Sequence, residues 1–133
     1  MLARAERLVR AADYREVVRR GRRLSTANAT VYARPGDDSV NSSRFGFIVS
    51  KAVGNAVVRN RVRRRLKAIC HSEIDPAGPV LDIVIRAHAP SATASWSELV
   101  EDVSGMVARL RSKLAATPPP PSTVVIEGIG SAT

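Results

Sequence analysis

The residues best equipped for chemistry lie between Gly54 and His71. From Arg59 to Lys67, six of nine residues are cationic and none is acidic. Such a run repels itself unless an anion binds to it. Arginines two and four residues apart present planar donor forks to several phosphates rather than to one. Gly54, just before the run, allows a backbone to approach a phosphate closely, and the free N–H groups of a helix starting there point outward. Asn60 adds a neutral donor and acceptor for a sugar hydroxyl or a base edge. The chemistry is phosphate recognition.

Catalytic equipment is missing from the pattern. No paired carboxylates, no Ser-His-Asp set and no activated cysteine accompany the basic run, so no catalytic residue is assigned to the protein. Lys51-x-x-Gly54 is not followed by G-K-[ST] and is no phosphate-binding loop of the nucleotide-hydrolase kind. Cys70 is the single cysteine, which excludes an intrachain disulfide and a cysteine-based zinc site. Two histidines, His71 and His88, are too few for a metal cluster, and no metal ligand is assigned.

Charge places the run in context. The chain has 133 residues and a net charge of +9, with 44% hydrophobic residues. Residues 1–67 hold 17 Lys/Arg against 5 Asp/Glu, whereas residues 68–133 hold 4 against 7. A basic half joined to a slightly acidic half is the footprint of a polyanion binder. The N-terminal stretch lacks the apolar run of a signal peptide, and nothing approaches the ~18 apolar residues of a membrane span, so a cytoplasmic protein is expected.

The elements that must position the run follow from periodicity. Asp13 is placed to cap a helix that runs to about Arg20, with Gly21 as its stop. The ten residues before it read as a loose basic lead-in. Residues 29–34 form a strand, one more short strand is expected between Leu24 and Ala33, and residues 44–50 form another. In the latter, Phe45, Phe47 and Val49 share one face. On a helix over 55–71, Val58, Val62, Leu66 and Ile69 occupy one arc, while Asn60, Arg64, Lys67 and His71 take the opposite side. Arg61 and Arg65 flank the apolar arc.

Residues 80–87 read as a strand buried on both faces. Ser95 and Glu98 form a capping box for a last helix, and Trp96 beside them is assigned as its anchor. That helix shows Leu99, Val100, Val103, Val107, Leu110 and Leu114 on one face. Four consecutive prolines, 118–121, end the folded part. One domain over 1–116 and a disordered, Pro-rich tail over 117–133 are expected. Strand 44–50, helix 55–71 and strand 80–87 make a β-α-β unit, and a small sheet covered by helices is the simplest α+β architecture.

The run RFGFIVSKAVGNAVVRNRVRRRLKAICH closely resembles the signature of the bacterial ribonuclease P protein subunit. The family pattern S-K-x-x-G-x-A-V-x-R-N-R-x-[KR]-R is met by Ser50, Lys51, Gly54, Ala56, Val57, Arg59, Asn60, Arg61, Arg63 and Arg64. A weaker resemblance extends from about Leu8 to Leu114. It implies an α-β-β-β-α-β-α fold with a left-handed β-α-β crossover. It also implies an accessory subunit of a tRNA 5′-maturation endoribonuclease, whose RNA subunit, with Mg2+, carries out the hydrolysis.

Several assignments come with the resemblance. Lys51, Gly54, Arg59, Asn60, Arg61, Arg63, Arg64 and Lys67 are the RNA-contacting residues. Tyr14, Val18, Tyr32, Arg44, Phe47 and Lys51 line a cleft for the single-stranded 5′ leader of precursor tRNA. The implied partners are ribonuclease P RNA and precursor tRNA, with a monomeric protein in a 1:1 complex with the RNA and no membrane. Val18 and Ala29 stand where the family usually has aromatics, so base stacking, at ~1–3 kcal/mol per base, rests on fewer rings. The alternative is a structural RNA-binding protein of a ribosomal type with no role in cleavage.

Overall fold

The computed structural model describes residues 6–36, 43–74 and 78–116. Along the chain these form α1 (Ala11–Arg20), β1 (Arg22–Ser25), β2 (Ala29–Pro35), β3 (Arg44–Ile48), α2 (Ala56–Ser72), β4 (Leu81–Ala87), a 3-10 turn (Ala89–Ala92) and α3 (Trp96–Ala116). This is the expected α-β-β-β-α-β-α order. The tail from 117 onward lies outside the described residues.

The four strands form one mixed sheet in the order β1-β2-β4-β3. β2 pairs antiparallel with β1 and with β4, whereas β3 and β4 are parallel neighbours joined through α2. Strand periodicity of two sorts the side chains onto two faces. Val31, Ala33, Phe45, Ile83 and Ile85 meet Val62, Leu66 and Ile69 of α2 and Leu99, Val103, Met106 and Leu110 of α3 in the main core. Tyr32 and Val84 point the other way, into a smaller cluster with Leu8 and Val17. β4 is therefore buried on both faces, as its continuous apolar run demands. No described helix is long and apolar enough to cross a membrane.

Several local expectations need correction. The N-cap of α1 is Arg10, which makes no side-chain capping bond, and Asp13 lies inside the first turn. A carboxylate there still favours the positive end of the helix dipole. Gly21 does end α1, but in an extended conformation (φ −76°) rather than a left-handed one. The described part of the lead-in, residues 6–10, is not loose. Arg7 forms a parallel bridge with Phe45, the Leu8 N–H donates to the Phe45 carbonyl at 2.8 Å, and Leu8 is buried.

At α3 the Ser95 Oγ accepts the Glu98 N–H at 3.1 Å, which is one half of the capping box. The Glu98 carboxylate instead accepts from the Asn28 amide at 3.3 Å, as Asp102 does at 2.8 Å, tying the β1–β2 turn to α3. Trp96 does not anchor the helix and is 48% exposed. Ser95 supplies the cap and Leu99 and Val103 the anchorage, so the ring faces outward.

Candidate RNA interface

The basic helix α2 is held by its apolar arc. Val62, Leu66, Ile69 and Cys70 are fully buried, and Asn55 caps the start by accepting the Val58 N–H at 3.0 Å. That cap consumes one of the outward N–H donors expected after Gly54. Gly54 has φ +157°, and a Cβ there would lie 2.8 Å from a Val58 methyl, so only glycine admits this entry into the helix. Burial pushes the Cys70 thiol well above its ordinary pKa, with Glu73 adding to the effect, so the thiol is an inert part of the core.

The cations of α2 divide by where their guanidinium groups go. Arg59 donates to the Gly54 carbonyl (3.2 Å), Arg61 to the Ala92 carbonyl (3.0 Å) and Arg65 to the Ala94 carbonyl (3.2 Å). These three tie the helix to its own entry and to the segment following β4. A carbonyl partner leaves the positive charge unneutralised and other N–H donors free. Arg63 donates to Asn60 Oδ1 at 3.0 Å, which orients both side chains on the outer surface. Arg64 and Lys67 have no side-chain partner among the described residues.

A groove of about 470 Å³ runs beside this surface, lined by Arg7, Leu8, Val9, Tyr14, Phe45, Phe47, Arg63 and Lys67. A second depression on the helix is lined by Val57, Asn60, Arg63, Arg64 and Lys67. Arg63 and Lys67 belong to both, so the basic face and the aromatic groove form one continuous surface. Tyr14 is locked in place: its hydroxyl donates to the Leu8 carbonyl (3.3 Å) and accepts the Phe47 N–H (3.2 Å). Its ring lies flush on Gly46, where a Cβ would come within 2.5 Å of it.

The residues expected to line a single leader cleft are thus only partly together. Tyr14 and Phe47 line the groove, and Val18 and Tyr32 join Tyr14 in the smaller cluster on the α1 side of the sheet, whereas Arg44 and Lys51 line neither. Arg44 makes a two-pronged ion pair with Asp82 (2.9 and 2.8 Å) and lies 3.9 Å from Asp13. Tyr32 is 5% exposed, and the Arg86 guanidinium sits 5.7 Å from its ring centroid. Val18 packs beside Tyr14 and Ile48 against the smaller core, and Lys51 is exposed in the turn after β3. His88 finds a partner that its sequence context does not suggest, Thr30 Oγ1 at 2.8 Å.

Sequence reasoning missed Arg7, Leu8 and Val9 in the groove and Arg86 over Tyr32. Alternation of Arg and apolar residues in the lead-in was the available signal for the first set. The lone cation in the β4 run was the signal for Arg86.

A protein-family model described as Ribonuclease P matches residues 2–111. The chain belongs to the ribonuclease P protein family. It is 48% identical over 109 residues to the ribonuclease P protein component of Clavibacter michiganensis, covering 82% of this chain and 96% of that one. The corresponding component of Rhodococcus erythropolis is 39% identical over 126 residues, covering 90% and 100%. In fold, the chain resembles the RNase P protein of Staphylococcus aureus (TM-score 0.70, 21% identity, 78% of this chain and 94% of that one). It also resembles that of Thermotoga maritima (TM-score 0.64, 20% identity, 80% and 96%). Membership makes the chain a protein subunit of ribonuclease P, the tRNA-processing ribonucleoprotein.

Proposed function

We propose that α2 binds the ribonuclease P RNA through Asn60, Arg63, Arg64 and Lys67, while the adjoining groove receives the single-stranded 5′ leader of precursor tRNA. The observation that carries this reading is that Arg63 and Lys67 belong to both surfaces. One strand of phosphates can follow the cations while an unpaired base meets the Tyr14 edge and Phe47. Arg59, Arg61 and Arg65 hold the helix at its angle, with Arg61 still able to reach RNA. Lys51 and Gly54 flank its entry.

Hydrolysis is assigned to the RNA subunit. Among the described residues no group of three or more His, Cys, Asp or Glu could hold a metal ion. On this reading Mg2+ is bound mainly by the RNA partner and the substrate, whose phosphate oxygens are ligands that suit it. A single copy per RNA in the cytoplasm completes the proposal.

The test is precursor-tRNA cleavage at low magnesium by a bacterial ribonuclease P RNA with and without the protein. Cleavage at the mature 5′ end should be restored by the wild type and weakened by Arg63→Gln with Arg64→Gln. The same double variant should lower the log–log salt slope of RNA binding by roughly 1.4–1.8. RNA binding without any stimulation would support a structural RNA binder instead.

A further inference from the structure

The described arginines divide into those whose charge is satisfied within the fold and those whose charge is not. Arg44 pairs with Asp82, Arg111 with Glu73, and Arg20 and Arg34 share Glu16. Arg15, Arg19, Arg22 and Arg23 make no side-chain hydrogen bond or ion pair among the described residues, and all four are exposed. They lie on the path from α1, which ends at Arg20, through the turn at Gly21 to β1, which begins at Arg22. Arg22 and Arg23 point to opposite faces of the edge strand, alongside Leu24 and Tyr32 respectively.

Ordinary roles account for part of this set only. The negative end of the α1 dipole favours Arg19 and Arg20, and one charge on an edge strand suffices to discourage edge-to-edge pairing. Neither explains Arg15 beside Arg19 at a four-residue spacing, where like charges destabilise a helix. Nor does either explain two adjacent arginines on β1 without a carboxylate. Glu16, the acid nearest in sequence, is already engaged by Arg20 and Arg34. A cluster of unsatisfied planar guanidinium groups suits an external polyanion with spaced oxygens, and planar forks match phosphates best.

We infer that Arg15, Arg19, Arg22 and Arg23 form a second RNA-phosphate surface at the β1 edge, distinct from α2. The inference rests on the reading that this protein works on RNA. β1 and β3 are the two edges of the sheet, three strand spacings or about 14 Å apart, and α2 follows β3. α1 lies on the sheet face opposite α2. A phosphate on the outer face of α2 therefore leaves these arginines unneutralised, and the second surface grips a separate stretch of the folded RNA or its bound substrate.

The test uses the full-length chain carrying Arg19→Gln, Arg22→Gln and Arg23→Gln. A helix-only variant, Arg15→Gln with Arg19→Gln, covers the chance that β1 misfolds, and circular dichroism monitors both. Binding to a bacterial ribonuclease P RNA is measured across a series of salt concentrations. The triple variant should lower the log–log slope by roughly 2–3, and the helix-only variant by roughly 1.4–1.8. A slope that falls only for precursor-tRNA binding to the reconstituted complex would place the same surface on the substrate.

Unchanged slopes in both assays overturn the inference, and increased self-association would then assign the arginines to edge protection. In that event a lowered slope in Arg63→Gln with Arg64→Gln leaves the α2 reading standing. No change in that variant would remove both.

Discussion

The two faces of the sheet are built differently. Toward α2 and α3, Leu66, Ile69, Ile83, Ile85, Leu99 and Met106 interlock in a core that spans all four strands. Toward α1, the buried set is Leu8, Val17, Tyr32 and Val84, with Tyr14, Val18 and Ile48 only partly covered. One short helix cannot cover a four-stranded sheet, so this second face keeps Arg23 and Arg86 exposed and its polar pairs near the surface. The thick side supplies stability, while the thin side holds the Tyr14 seat and the contacts that shape the groove.

Three substitutions sharpen that contrast. Leu66→Ala, at a fully buried site on the thick face, should lower the unfolding free energy by about 2–5 kcal/mol in urea titrations. A loss under 1 kcal/mol would mean that α2 is not held by this core. Gly46→Ala, on the thin face, drives a methyl group into the Tyr14 ring and should cost about 1–3 kcal/mol. It should also reduce the preference of the assembled enzyme for precursor over mature tRNA, because Tyr14 must leave its seat. Stability and preference both unchanged would show that the ring does not rest on Gly46.

Asp82→Asn removes the two-pronged partner of Arg44, whose side chain is 22% exposed. The pair lies between the surface and buried cases, and about 1–2 kcal/mol of stability should be lost. The RNA salt slope should not move, since this pair sits at the α1–β2 side, away from α2. A changed slope would give Arg44, expected in the leader cleft, a contact with the RNA subunit as well.

Much of this was legible in the chain. The helical period of Val58, Val62, Leu66 and Ile69 located α2 to within a residue at each end and separated its buried arc from its cationic side. The double burial of β4 followed from its uninterrupted apolar run, because a half-exposed strand alternates. Boundaries set by capping were less secure: Asp13 has the right type for a cap, yet the chain enters α1 at Arg10, where pairing of Arg7 with Phe45 sets the path. Trp96 read as an anchor from its place beside the cap, but that same position at the helix start turned it outward.

The candidate site divides along the same line. Residue types and spacing alone made the segment 59–67 a dense array of donors suited to phosphate, since charge density and donor geometry are local properties. They also determined which side of α2 is available, because one helical period fixes every side chain relative to the buried arc. Only the tertiary structure decided which cations also bond within the fold. Arg59, Arg61 and Arg65 meet carbonyls of neighbouring segments, and Arg44 meets Asp82, 38 residues away. It also decided that Leu8 and Val9 share the groove with Tyr14. These are contacts between segments remote in sequence, and no local period encodes the distance across a folded sheet.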